Sequence, residues 1–215
     1  MGHEVKQCVI IGSSPCVTET EFLDIDRKNF YVVCADGGYD TALRFHVKPD
    51  LIVGDFDSLT VPLPDDIETI RLKIEKDDTD IMAAVRIALE RGYRRFLLLG
   101  ALGGRLDHSF ANFCILQYLA EQNCSAVISG MGSRVYFLNS DSKNNRLELN
   151  GLEGKTVSVF PFGVPVCTVT YEGLKYRLVQ YPLTSNFPLG VSNLAISEKA
   201  SVLVHDGSAL VMVIN

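Results

Sequence analysis

A short apolar run that ends in two closely spaced carboxylates places the strongest restriction on the fold of this chain. Residues 51–53 (Leu-Ile-Val) are followed by Gly54, Asp55 and Asp57. Aliphatic and β-branched residues favour a buried strand, and glycine lets the backbone turn sharply. Carboxylates this close repel one another unless a cation lies between them, and Mg²⁺ carrying nucleotide phosphates is a common solution. The stretch predicts a strand ending in a magnesium-binding loop, with a solvated turn as the alternative.

Three further segments repeat this pattern. Residues 35–38 (Ala-Asp-Gly-Gly) follow the apolar run 30–34, residues 76–80 (Lys-Asp-Asp-Thr-Asp) precede an amphipathic segment, and residues 100–108 follow the strand-like run 96–99. In an open α/β sheet such loops collect at the carboxyl ends of the strands, where ligands bind. The four loops contain seven aspartates, namely Asp36, Asp55, Asp57, Asp77, Asp78, Asp80 and Asp107.

The hydrophobic pattern predicts an α/β domain for the first part of the chain. The predicted strands are residues 7–12, 30–34, 50–54, 70–74, 96–99 and 125–129. The predicted helices are residues 19–28, residues 39–46, a helix that Asp78 or Thr79 caps and Gly92 ends, and residues 109–122 with Asp107 as cap. Alternating strands and helices indicate a three-layer α/β/α domain with a mainly parallel sheet.

After about residue 132 the helical period disappears. The apolar runs are short and separated by turn signals, at residues 134–138, 146–149, 155–160, 166–171, 174–180, 194–197, 200–205 and 210–214. About eight short strands predict an all-β sandwich or barrel. We place the domain boundary near residue 140, which gives an α/β domain over residues 1–140 and an all-β domain over residues 141–215.

Composition excludes several classes of partner. A formal net charge of −6 without a long basic run argues against nucleic acid. No stretch approaches the roughly 20 apolar residues that span a bilayer, so no membrane contact is expected. The six cysteines show no CxxC pair, and we interpret them as reduced thiols of a cytoplasmic protein.

The order of the motifs resembles the thiamine pyrophosphokinase (thiamin diphosphokinase) family, over nearly the whole chain. The segments that carry the resemblance are residues 35–38 (ADGG), 50–58 (DLIVGDFDS), 76–80 (KDDTD), 103–108 (GGRLDH), 173–176 (GLKY) and 191–193 (VSN). The resemblance implies an enzyme that transfers pyrophosphate from ATP to the hydroxyl of thiamine, giving thiamine diphosphate and AMP. Carboxylates and Mg²⁺ can perform such a transfer by direct displacement.

The candidate metal ligands are Asp55, Asp57 and Asp80. The resemblance implies this role, and all three occupy loop or helix-start positions. Arg105 is a candidate catalytic residue, together with Asp80, because its planar donor fork suits phosphate oxygens. Asp107 is the third candidate, where it would orient the substrate hydroxyl or a metal-bound water. A helix cap is the alternative role for Asp107.

The predicted nucleotide-binding set is Asp36, Gly37, Gly38, Lys76, Asp77, Thr79, Arg105 and His108. A plain strand-ending turn is the alternative for Asp36, and a packed or solvent-facing side chain is the alternative for His108. The resemblance implies that thiamine is bound by Tyr176, Ser192 and Asn193. Tyr176 stands where one form of the family pattern, GLKW, has tryptophan, and its ring can still stack on a flat heteroaromatic group.

The resemblance also implies a homodimer, in which each active site combines the α/β loops of one subunit with the β domain of its partner. Three alternative functions are compatible with the same acidic loops. They are a pyrophosphokinase for another alcohol such as a pterin, a non-catalytic nucleotide or thiamine sensor, and a metal phosphohydrolase.

Overall fold

The structure is a computed structural model that describes residues 7–23, 25, 29–57, 59–73, 78–141 and 143–215. These residues form two compact units. The first comprises the described residues up to Ile115 together with Cys124–Met131, and the second comprises Leu116–Asn123 and Gly132–Asn215. The domain boundary near residue 140 stays a prediction.

Six parallel strands form the sheet of the first unit, in the order β6-β5-β1-β2-β3-β4. Their bounds are β1 Gln7–Ile11, β2 Phe30–Ala35, β3 Leu51–Gly54, β4 Glu68–Arg71, β5 Arg95–Leu99 and β6 Ser125–Gly130. All four residues of β3 are buried, as continuous apolar runs in a parallel sheet require. The predicted mainly parallel sheet is confirmed.

The helices are α1 Gly38–Arg44, α2 Asp80–Glu90 and α3 Leu106–Glu121. The Thr79 hydroxyl accepts a hydrogen bond of 3.2 Å from the Met82 amide, so Thr79 is the predicted cap of α2. Beyond its end, Gly92 takes the left-handed φ of 87° that stops a helix. Among the described residues, no helix combines the length and the apolar character that a membrane crossing needs.

Two local predictions in the first unit are wrong. α3 begins at Leu106, because the Arg105 carbonyl accepts from the Ser109 amide at 3.2 Å; Asp107 therefore lies in the first turn and does not cap the helix from outside. The helix expected over residues 19–28 is a 3₁₀ turn at Glu19–Glu21, followed by further turn residues. Residues 24 and 26–28 lie outside the described residues.

Long-range contacts explain the short 3₁₀ turn. Glu21 is buried, and its carboxylate accepts a hydrogen bond of 3.2 Å from the Met131 amide. The next residue, Phe22, stacks on Phe45 with ring centroids 4.5 Å apart. These tertiary contacts override the helical propensity of the segment. The strand expected over residues 70–74 is β4, which begins two residues earlier and ends at Arg71; residues 72 and 73 are not in a strand, and residue 74 is not described.

The second unit is a sandwich of two antiparallel sheets, ordered β12-β9-β14-β7 and β11-β10-β13-β8. The bounds are β7 Ser133–Asn139, β8 Arg146–Glu148, β9 Thr156–Pro161, β10 Val166–Glu172, β11 Tyr181–Thr184, β12 Asn193–Leu194, β13 Ser201–Asp206 and β14 Ser208–Ile214. Alternate residues such as Cys167, Val169 and Tyr171 point into one shared core. The predicted all-β sandwich is confirmed.

The strand expected over residues 174–180 is wrong. Only Leu174 makes a β-bridge, to Ala195, and the next strand begins at Tyr181. Gly173 and Gln180 take left-handed φ values of 65° and 44°, which turn the backbone at both ends of the segment. The strand expected over residues 194–197 is reduced to β12 and this bridge.

Gly38, at the start of α1, provides a test of the packing between α1 and β1. A Cβ atom on Gly38 would lie 1.9 Å from the carbonyl oxygen of Ile11 in β1. We expect Gly38→Ala to lower the free energy of unfolding, measured by urea denaturation, by about 1–3 kcal/mol, because backbone must move to admit the methyl group. Gly130→Ala is the control, since its Cβ would make an ordinary contact of 3.4 Å with Leu102. Equal stability of the two variants would contradict this packing.

Candidate active site

The strand order of the sheet changes direction at β1, because later strands are added on its other side. A cleft lies between β1 and β5 at the carboxyl edge of the sheet. β1 leads to β2 on one side, while β5 pairs with its other side. A Cβ atom on Gly12 would lie 2.7 Å from the Gly100 carbonyl oxygen, and one on Gly100 would lie 2.3 Å from the Gly12 carbonyl oxygen. Only glycine allows this close approach of two backbones. Such a switch point is the usual ligand site of an open α/β sheet.

The cleft has a volume of about 930 Å³, which suits a small-molecule ligand. The predicted site residues that line it are Asp36, Thr79, Asp80, Arg105 and His108. Gly37 and Gly38 lie at the start of α1 and are not among the lining residues. Lys76 and Asp77 lie outside the described residues. The structure therefore brings together five of the predicted residues from three separate loops.

Other lining residues were missed from the sequence. Residues 12–15 (Gly-Ser-Ser-Pro) follow β1 and line the cleft, and the Ser14 hydroxyl donates to the Leu102 carbonyl. Asn112 is buried in α3 and donates to the Ala101 carbonyl at 2.7 Å. The strand-then-glycine pattern at Gly12 was a usable signal. Nothing local distinguishes Asn112, because its partner lies in another loop.

Three carboxylates meet beside the cleft. One oxygen from each of Asp36, Asp55 and Asp57 lies within 4.8 Å of the others. Asp36 takes a left-handed φ of 45° directly after β2. Its amide donates to the Val53 carbonyl at 2.7 Å, and its carboxylate accepts from the Phe56 amide at 3.2 Å. The structure thus groups Asp36 with two of the three predicted metal ligands, Asp55 and Asp57; the third, Asp80, is not in this group.

Like charge dominates the electrostatics of this cluster. The pKa of the exposed Asp57 carboxyl is raised, first by the charge of Asp55 and to a smaller extent by partial desolvation and by Asp36 and Asp80. Asp80, at the start of α2, therefore acts on the same group. Crowded carboxylate oxygens with mutual repulsion are the donor set that a hard divalent cation such as Mg²⁺ prefers. The residues present fit that ion.

The loop that carries Asp55 and Asp57 is held from outside the cluster. Arg71 donates from Nη1 to the backbone carbonyl of Asp55 at 2.8 Å. The amide and hydroxyl of Thr60 donate to one Asp40 oxygen at 3.0 and 2.9 Å. These bonds reach the loop from β4 and from α1, so protein groups define its conformation.

Arg105 and Asp107 form a bidentate ion pair. Nε and Nη2 of Arg105 donate to the two Asp107 oxygens at 3.1 and 2.6 Å. The guanidinium lowers the pKa of the Asp107 carboxyl to about 2. Asp107 is therefore ionised at neutral pH and is a weak base while the pair is intact. Both side chains are largely exposed, so a phosphate can compete for the fork of Arg105.

The predicted thiamine-binding residues lie close together in the second unit. The buried Asn193 side chain accepts from the Tyr176 amide at 2.9 Å and donates to the Tyr176 carbonyl at 2.8 Å. Ser192 takes a left-handed φ of 58°, and its amide donates to the Ser158 hydroxyl at 3.0 Å. The Tyr176 residue is 60% exposed. Asn193 thus fixes the backbone of Tyr176 and leaves the ring accessible; the thiamine-binding roles of these residues stay predictions.

These features define a protein with an α/β ligand-binding unit and a second, β-sandwich unit. The first unit is an open α/β sheet with a glycine-walled cleft and a carboxylate cluster at its carboxyl edge, and the second is a β sandwich. The site suits a nucleotide and a divalent cation.

Comparison with known proteins identifies the family. Two family models match, "Thiamin pyrophosphokinase, catalytic domain" over residues 24–128 and "Thiamin pyrophosphokinase, vitamin B1 binding domain" over residues 143–208. A curated relative, thiamine pyrophosphokinase 3 of Oryza sativa subsp. japonica, is 25% identical over 209 residues, covering 85% of this chain and 78% of its own. The chain belongs to the thiamin pyrophosphokinase family.

Solved structures share the fold. The thiamine pyrophosphokinase of Bacillus subtilis superposes with a TM-score of 0.84 at 21% identity, over 98% of this chain and 99% of its own. The thiamin pyrophosphokinase of Geobacillus thermodenitrificans superposes with a TM-score of 0.81 at 25% identity, over 97% of each chain. An α/β catalytic domain with a second β-rich domain is therefore the fold of the family and of this chain.

Family membership makes the chain an enzyme that transfers pyrophosphate from ATP to thiamine. The predicted family, fold class and reaction are confirmed. The matched family models and the relatives described above are all named for thiamine, and they give no support to a pterin as acceptor or to a non-catalytic sensor.

The electrostatic origin of the raised Asp57 pKa can be tested by NMR titration of its side-chain carboxyl carbon. Replacing Asp55 with Asn removes the largest cause of the shift, so we expect the pKa of Asp57 to fall towards its ordinary value. Because the folded-state pKa is raised, the ionised Asp57 opposes folding above that pKa, and this effect disappears as the pH falls through it. Metal-free Asp55→Asn should therefore not be less stable than wild type at pH 7.

Asp65→Asn is the control for the titration, since Asp65 is exposed in the same unit and does not act on Asp57. An unchanged Asp57 pKa in Asp55→Asn would show that the two carboxylates do not interact.

Proposed function

We propose that Asp55, Asp57 and Asp80, together with Asp36, hold the Mg²⁺ that accompanies ATP in this enzyme. The approach of three carboxylates to within 4.8 Å supports this assignment, as does the effect of Asp80 on the pKa of Asp57. When bound, the ion would neutralise charge on the triphosphate and on the departing AMP. One or more ions are compatible with four carboxylates.

We assign the cleft between the ends of β1 and β5 to ATP. Gly12 and Gly100 both line the cleft, where their lack of side chains lets the two backbones pack closely, and residues 12–15 form one wall. Arg105, with a side chain that is 70% exposed, supplies a donor fork for phosphate oxygens. Thr79 and His108 complete the nucleotide-facing set.

The reaction is a direct displacement at one phosphorus atom. The hydroxyl oxygen of thiamine bonds to the β-phosphorus of ATP, the bond from that phosphorus to the α,β-bridging oxygen breaks, and AMP leaves with the bond's electrons. The hydroxyl proton is lost to solvent, and Asp107, the partner of Arg105 in the structure, is assigned to orient the hydroxyl. Phosphoryl transfer of this kind depends on alignment and charge stabilisation, which the acidic loops and Arg105 provide without a covalent intermediate.

Thiamine is assigned to Tyr176, Ser192 and Asn193 of the β unit. The exposed Tyr176 ring offers a stacking surface, and Asn193 holds its backbone through two hydrogen bonds.

Large apolar side chains are exposed on the same unit, including Val179, Phe187 and Leu189. Exposed apolar side chains are groups that a subunit interface would bury, which supports the proposal of a homodimer with shared sites. All six cysteines are described and are free thiols, which supports a cytoplasmic location; nucleic acid and membranes are not proposed as partners.

The reaction and the acidic residues are tested together. Phosphorus NMR of the protein with ATP, thiamine and Mg²⁺ should show AMP and thiamine diphosphate. Asp55→Asn, Asp57→Asn and Asp80→Asn should each lower kcat by roughly 10² or more, because each removes a charge that acts at the reacting centre. Asp65→Asn should retain wild-type turnover. Formation of ADP and thiamine monophosphate would contradict pyrophosphate transfer, and phosphate release without thiamine would indicate a hydrolase.

The shared-site dimer is tested by subunit mixing. Asp80→Asn is defective in the acidic loops, and the double variant Tyr176→Ala, Asn193→Ala is defective in the β unit. Random exchange makes about half of the dimers mixed, each with one intact site, so the mixture should recover about a quarter of wild-type activity. A mixture that stays inactive after exchange has been verified by mass spectrometry would place each complete site within one chain.

A further inference from the structure

Arg71 is a charged residue that the reaction described above does not use. It is the last residue of β4 and is exposed. It pairs in register with Gly54, the residue at which the acidic loop begins, and the Leu72 amide donates to the Gly54 carbonyl at 2.8 Å. Arg71 is therefore fixed by the sheet at the base of the loop that carries Asp55 and Asp57.

The Arg71 side chain makes two contacts with that loop. Nη1 donates to the Asp55 backbone carbonyl at 2.8 Å. The guanidinium carbon lies 4.9 Å from the centroid of the Phe56 ring, within the range of a cation–π interaction. Arg71 thus binds the backbone of one residue of the loop and covers the ring of the next.

Phe56 is the strained residue of the loop. Its φ of 66° lies in the left-handed region, which a residue with a bulky side chain rarely adopts. Phe56 lies between Asp55 and Asp57 in the sequence, and its amide donates to the Asp36 carboxylate at 3.2 Å. A loop in this state, with repelling carboxylates on both sides of Phe56, requires external contacts to persist.

We propose that Arg71 is a positioning residue that holds residues 55–57 in the metal-binding conformation before the metal arrives. This inference rests on the proposed role of Asp55 and Asp57 as metal ligands. Arg71 acts through the Asp55 carbonyl and the Phe56 ring, and it does not itself touch substrate. Its contribution is to reduce the loop ordering that metal binding would otherwise require.

The sign of a mutational effect separates positioning from simple electrostatics. A cation near the site repels Mg²⁺, so loss of its charge alone would leave the Kd of Mg²⁺ unchanged or lower it. Loss of a positioning contact would raise the Kd, because the loop must then be ordered on binding. Lys73 is the matched control, since it is exposed two residues further along the chain and removal of its side chain deletes the same charge.

The test uses the full-length protein without nucleotide, and two measurements other than activity. In the metal-free state, hydrogen exchange of the Phe56 amide is followed by NMR. The Kd of Mg²⁺ is measured by titration calorimetry. We expect Arg71→Ala to accelerate Phe56 exchange and to raise the Kd, each by about fivefold or more, as loss of a charged hydrogen bond and a cation–π contact implies. Lys73→Ala should leave exchange unchanged and should not raise the Kd.

Two further variants keep the result decisive. Phe56→Leu removes the ring and should raise the Kd by a smaller factor; combined with Arg71→Ala it should add less than its separate effect, because the two side chains share one contact. Arg71→Lys, which keeps the charge but loses the planar fork, should fold and still show an intermediate rise in Kd.

The outcomes distinguish failure of this inference from failure of the proposed metal site. Asp57→Asn should raise the Kd for Mg²⁺ strongly. If it does not, the proposed metal site is wrong and the inference falls with it. If Asp57→Asn weakens binding while Arg71→Ala leaves both the Kd and the Phe56 exchange unchanged, or tightens binding as charge removal alone would, the metal site stands and the positioning role of Arg71 is wrong.

Discussion

Repulsion among carboxylates at one edge of the first sheet is the constraint on which the catalytic unit depends. Oxygens of Asp36, Asp55 and Asp57 lie within 4.8 Å of one another, and the raised pKa of Asp57 reflects their like charge. Such a cluster persists only if the strands that carry it cannot separate. β2 and β3 meet this need, because both are buried and share one hydrophobic core. The burial of apolar area therefore opposes the charge repulsion that comes with the proposed metal site.

Asp36 shows that the fold and the site cannot be separated at this edge. Its amide donates to the Val53 carbonyl and continues the pairing of β2 with β3, while its carboxylate accepts from the Phe56 amide and shapes the neighbouring loop. The left-handed backbone of Asp36 allows both bonds at once. A carboxylate that faces the cleft is thus also a structural link between two loops.

Local signals in the sequence predicted most of the fold, and contacts between distant segments account for what they missed. The cap at Thr79 and the stop at Gly92 depend on neighbouring backbone groups, so the sequence around them was sufficient. The helix expected over residues 19–28 failed because its side chains are fixed by distant partners. In the site, the acidic loops were predicted from their composition, because several aspartates follow or precede apolar segments. The contacts of Arg71 and Asn193 depend on which segments the sheets bring together, and no local pattern encodes that.

The bonds between Asn193 and residue 176 have a consequence for which side chains the proposed acceptor site can carry. Both involve only the backbone amide and carbonyl of Tyr176, so the loop keeps its shape whatever ring is attached there. The side chain at this position is also largely exposed, and a larger or smaller ring meets little steric resistance. The size of the ring at this position can therefore change while the scaffold beneath it stays the same.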